Sequence, residues 1–91
     1  MDENETIDRV NEVFADSFEI APDKLLPQAR IFDDLGLDSL DTVDLIVALQ
    51  KKFGIQIRED ERVRTIRTLA DVYRFILILK QEEQQKRASA P

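Results

Sequence analysis

Residues 33–53 read DDLGLDSLDTVDLIVALQKKF. An acid-rich approach passes Gly36 and reaches one serine, Ser39, at the opening of an amphipathic segment. Asp38 is a favoured helix N-cap, and Asp41 three positions on completes a capping-box pair, so the first-turn amides are met without the serine. The Ser39 hydroxyl is thereby left free. The positive end of the helix dipole and the unpaired amides beside it favour an anion, so a phosphodiester formed on Ser39 suits the position. Taken without its surroundings, a serine at a helix start is more often only a cap.

Set at 100° steps, residues 39–53 place Leu40, Val43, Ile46, Val47, Leu49 and Phe53 around most of the circumference. Asp41, Asp44, Ala48, Lys51 and Lys52 share a polar sector about 100° wide. A helix so apolar is expected to pack on more than one side. Leu40 and Val47 border the polar sector and are the apolar residues a partner would meet.

Outward from this segment, Gly54 is placed for a left-handed helix stop, and Ile55-Gln56-Ile57 is a brief extended alternation. Residues 58–65 predict a short helical turn with Val63 and Ile66 as its apolar contacts. Thr68 with Asp71 forms a second capping-box pattern, opening a helix whose buried side is Leu69, Val72, Tyr73, Ile76, Leu77 and Leu79. From Lys80 the chain is polar, and fraying into an exposed tail is expected. Toward the N-terminus, Ile7, Val10, Val13, Phe14 and Phe18 form one stripe and predict a helix over 3–18. Pro22 and Pro27 mark a long connection to Asp38, whose Leu25, Leu26, Ile31, Phe32 and Leu35 are expected to pin it across the bundle, with a short helical turn inside it.

The expected fold is all-α: a small four-helix bundle with three longer helices, a short third helix, and a long loop between the first two. One domain over 1–79 with a polar tail over 80–91 is the expected organisation. No core position shows a polar group in need of an internal partner.

Composition narrows the chemistry. Neither cysteine nor histidine occurs among the 91 residues, which excludes disulfides, thiolate metal sites and Ser–His or Cys–His catalysis. The net charge of −6 argues against nucleic acid as ligand. Residues 1–44 hold 13 acids and 3 bases, residues 45–91 hold 6 acids and 10 bases, so a basic partner is steered to the half containing Ser39. The acidic N-terminus lacks a signal pattern and no apolar run reaches the roughly 18 residues of a membrane span, so a cytoplasmic protein without membrane insertion is expected.

The stretch LGLDSLDTVDLIVALQKKFGIQI resembles the acyl carrier proteins of dissociated fatty acid synthesis systems. Asp38-Ser39-Leu40 alone is a weak signal; its setting after Asp33-Asp34-Leu35-Gly36 and before Asp41-Thr42-Val43-Asp44-Leu45, then Ala48-Leu49 and Phe53, supplies the specificity. The likeness extends from Ile7 to Leu79. It implies that Ser39 is esterified with 4′-phosphopantetheine, donated by coenzyme A through a phosphopantetheinyl transferase, a holo-carrier synthase. The arm's thiol would hold an acyl chain as a thioester for delivery to loading, elongating and transferring enzymes. It further implies an acyl pocket walled by Val43, Ile46, Ile57, Ile66, Leu69 and Tyr73. Asp38, Leu40, Asp41, Asp44 and Val47 would meet basic docking patches on partner enzymes. Two features depart from the family: Gln50-Lys51-Lys52 stands where acids are usual, and Arg58, Arg62, Arg64 and Arg67 interrupt the acids that follow. With Lys51 repelling a basic partner, a specialised carrier is the expectation, and a monomeric one.

Other readings compete. The acids Asp33, Asp34, Asp38 and Asp41 could be taken for an acid–base or metal cluster, but no second domain forms a cleft, and an EF-hand fails at Leu35 and Asp44. The expectation is therefore no enzyme and no metal. An unmodified helical adaptor, and a carrier of polyketide or aminoacyl intermediates, are the remaining alternatives.

Overall fold

The computed structural model describes residues 2–57, 63 and 65–89, with side chains as far as residue 82. Within them lie α1 (Glu3–Phe18), a 3-10 turn (Pro22–Lys24), α2 (Ser39–Phe53) and α3 (Leu69–Ser89). Among the described residues there is no strand, only an isolated antiparallel bridge between Arg30 and Thr68. The short helix expected over 58–65 lies outside the described residues except for Val63 and Thr65.

At the start of α1 the Asp2 carboxylate accepts the Glu5 N–H at 2.8 Å, and Glu3 and Glu5 add negative charge where the dipole favours it. The helix buries Thr6, Val10, Val13 and Phe14. Thr6 corrects the expectation of a core without polar groups: it is fully buried, and its hydroxyl donates to the Asp2 carbonyl at 3.0 Å. That local bond satisfies it. The helix ends at Glu19, a non-glycine residue in the left-handed region (φ 55°), whose N–H reaches the Phe14 carbonyl.

The connection that follows is held from both sides. Leu25, Ala29, Ile31 and Leu37 are buried, and its backbone is bonded to the approach of α3: Ile31 N–H to Arg67 O at 2.9 Å, Leu69 N–H to Ala29 O at 3.1 Å, and Ala70 N–H to Pro27 O at 2.9 Å. These bonds answer the backbone groups that a loop crossing a core would otherwise leave unmet. Leu26 and Phe32 depart from the expectation and stay exposed.

α3 differs from its expected form in two respects. Its buried side is Leu69, Val72, Tyr73, Phe75 and Ile76, whereas Leu77 and Leu79 are only half-buried. It also continues past Lys80 to Ser89. Lysine, glutamine, glutamate, arginine and alanine are good helix formers, so polarity alone does not end the helix there.

α1 packs on both α2 and α3, while those two approach each other far less. The consequence is a gap between α2 and α3. α2 buries Leu45, Leu49 and Phe53 and leaves Leu40, Val43 and Val47 exposed, so it packs on one side only, contrary to its apolar circumference.

Candidate functional site

The entrance of α2 is fixed by its own side chains. Asp38 Oδ1 accepts the Leu40 N–H at 2.9 Å and the Asp41 N–H at 3.0 Å, and Asp41 Oδ2 accepts the Asp38 N–H at 3.2 Å. This reciprocal box holds the turn in which Ser39 begins the helix. The Ser39 side chain is exposed, and its hydroxyl has no hydrogen-bond partner among the described residues. One expectation needs correction. Asp38 already occupies two first-turn amides, so the Ser39 N–H is the amide there left without an acceptor among the described residues.

A cavity of about 220 Å³ fills the gap between α2 and α3. α2 contributes Thr42, Leu45, Ile46 and Leu49, α3 contributes Val72 and Phe75, and the loops close it with Ile31, Phe32, Ile57, Val63, Ile66 and Arg67. Ser39, Thr42 and Ile46 follow three- and four-residue spacing, so the serine stands one turn beyond the cavity's edge on that side of the helix. Of the six expected walls, the structure brings together Ile46, Ile57 and Ile66. Val43 is 61% exposed and lies outside the cavity. Leu69 is fully buried elsewhere in the core, and Tyr73 turns toward α1, its hydroxyl donating to Asn11 Oδ1. Burial raises the Tyr73 hydroxyl above the usual phenol range against the opposing effect of that bond. Nine of the twelve residues that line it, Phe32, Thr42 and Phe75 among them, are not among the expected walls. Alternation along the helix identifies apolar faces, but which face meets α3 is decided by tertiary packing.

The solvent side of α2 carries Leu40, 78% exposed, with Val43 and Val47. Asp38, Asp44 and Lys51 are exposed on the same helix, and Asp41 is half-buried. Lys52 crosses to α1 and holds Glu12 at 2.6 Å, and this bond lowers the Glu12 carboxyl below its ordinary value. At the start of α3, Asp71 caps the helix. Its Oδ2 accepts the Arg67 N–H at 2.9 Å and the Thr68 N–H at 3.1 Å, and the first of these is the main cause of its lowered pKa. The reciprocal bond, Asp71 N–H to Thr68 Oγ1 at 3.3 Å, completes the expected box. Among the described residues no cluster of three or more acids, histidines or cysteines is arranged to hold a metal, and no helix is long and apolar enough to cross a membrane.

Residues 8–76 match the family model described as "Phosphopantetheine attachment site". The chain is 40% identical over 76 residues to the acyl carrier protein of Thermosynechococcus vestitus, covering 84% of this chain and 93% of that one. It is 39% identical over 72 residues to acyl carrier protein 2 of Ralstonia nicotianae, covering 79% of this chain and 88% of that protein. With an exposed serine opening α2, an apolar cavity beside it, and relatives matched over nearly their whole length, this chain belongs to the acyl carrier proteins, carriers and not enzymes, whose prosthetic group is 4′-phosphopantetheine.

Proposed function

We propose that Ser39 carries the arm, as a phosphodiester donated by coenzyme A with a phosphopantetheinyl transferase as catalyst. The observation that carries this reading is the serine itself: exposed, without a hydroxyl partner among the described residues, and held at a helix entrance whose next two amides are occupied by Asp38. The residues suit the group. The Ser39 N–H, which no described residue accepts, would be available to a phosphate oxygen. When attached, the arm supplies the thiol that this cysteine-free chain lacks and so the means of holding an acyl group as a thioester.

The cavity between α2 and α3 shelters the acyl chain, with Ile46, Ile57 and Ile66 among its walls. Each methylene removed from water is worth about 0.8 kcal/mol. Asp38, Leu40, Asp41, Asp44, Val47 and Lys51 form the face that meets partners, and Val43 joins it by exposure. Those partners are the transferase and the acyl-loading, elongating and transferring enzymes of fatty acid or related lipid synthesis. Tethering keeps the acyl group at high effective concentration near whichever of them is docked. Residues 1–79 are the carrier unit, and 80–91 form a polar extension. The protein works as a cytoplasmic monomer and serves a specialised set of enzymes.

Intact mass tests the assignment. Incubation with coenzyme A, magnesium and a broad-specificity transferase adds one arm per chain to the wild type and nothing to Ser39→Ala. No gain in the wild type, or an equal gain in the variant, overturns it.

A further inference from the structure

Two adjacent lysines on α2 have different surroundings. Lys52 is engaged with Glu12 across the α1 interface. Lys51 lies 100° further round the helix, is exposed, and has no ion-pair partner among the described residues. It stands two turns beyond Asp44 and, by helix register, within about 20° of it. One solvent-facing strip therefore runs from Leu40 through Asp44 and Val47 to Lys51, apolar along its length, negative near Ser39 and positive at its far end.

Spacing decides how a partner meets those charges. Asp44 and Lys51 are about 10 Å apart along the axis, close to the Debye length of about 8 Å in physiological salt. A docked surface feels two local fields and not their average. Given the carrier reading above, on which this depends, we infer that α2 docks an enzyme surface of matching polarity. Basic side chains sit beside the Ser39 end, an apolar contact meets Val47, and a carboxylate faces Lys51. Lys51 thus sets specificity: it attracts such a surface and repels one that is basic throughout.

The test uses the holo-protein loaded with one acyl group. As probe it takes a ketoacyl synthase whose carrier-docking patch is basic throughout, in two forms. One is unaltered; the other bears glutamate in place of the basic side chain facing position 51. With the unaltered form, Lys51→Glu lowers KM about three- to tenfold and leaves kcat unchanged. With the glutamate form it raises KM by a similar factor. Lys51→Gln and Lys52→Gln change the net charge equally, so they separate local contact from overall steering. Lys51→Gln shifts KM in the same sense as Lys51→Glu with each form, and Lys52→Gln stays within about twofold of wild type. Equal shifts from the two glutamine variants, or a Lys51→Glu effect of the same sign with both enzyme forms, would overturn the inference. Failure of arm attachment is distinguishable, because it appears as an unchanged protein mass before any transfer is measured.

Discussion

Asp38 serves two neighbours at once. Its carboxylate occupies the Leu40 and Asp41 amides, and in doing so it releases Ser39 from the capping duty that serine usually performs at a helix start. Asp38→Ala is expected to lower stability by about 1 kcal/mol and to slow arm transfer to a Ser39 no longer held in a fixed turn. Denaturant unfolding and a mass-based time course measure the two effects separately; a stability loss with an unchanged transfer rate would show that the cap does not position the serine. Glu19 gives the opposite case. Its left-handed backbone (φ 55°) is unfavourable for a residue with a Cβ, so Glu19→Gly is expected to stabilise the protein by about 0.5–1 kcal/mol despite the added freedom of the unfolded chain. A lower unfolding midpoint in that variant would contradict the account of how α1 ends.

The elements divide into those whose ends are written in neighbouring residues and those whose faces are set at a distance. The capping boxes at Asp38–Asp41 and Thr68–Asp71 were legible because each bond joins groups three residues apart or nearer. The role of Asp71 also carries a pH signature. Backbone amides hold its carboxyl below the ordinary value of 3.8, so its contribution is present above that value and is lost as pH falls through the lower folded value. Asp71→Asn is expected to lower stability near neutral pH and to lessen its loss on acidification below about 3.8. Thermal unfolding at pH 7 and pH 3 reads the difference; parallel losses in variant and wild type would contradict it. Faces were less legible. Nothing in the residues next to Val43 or Phe75 reveals that α2 and α3 stand apart around a cavity, which leaves Val43 exposed outside it and Phe75 buried along its wall. The continuation of α3 beyond Lys80 follows from helix propensity, which outweighs the polarity of that stretch.

Across the whole molecule, α1 braces both other helices while the space between α2 and α3 stays open enough for an apolar guest. A loaded acyl chain is then expected to stabilise the fold in proportion to its buried length, at about 0.8 kcal/mol per methylene until the cavity is filled. Unfolding midpoints of the holo-protein carrying four-, six- and eight-carbon acyl groups should rise in that order. A series independent of chain length would place the chain outside the cavity. The roles proposed for the cavity, the charged strip and the docking face all depend on the proposed attachment of the arm to Ser39. The most direct measurement is peptide mapping by tandem mass spectrometry of the protein isolated from its own cells. The account predicts one phosphopantetheine, bare or acylated, on the peptide containing Ser39 and localised to that residue; an arm found on another side chain, or Ser39 recovered always unmodified, would contradict it.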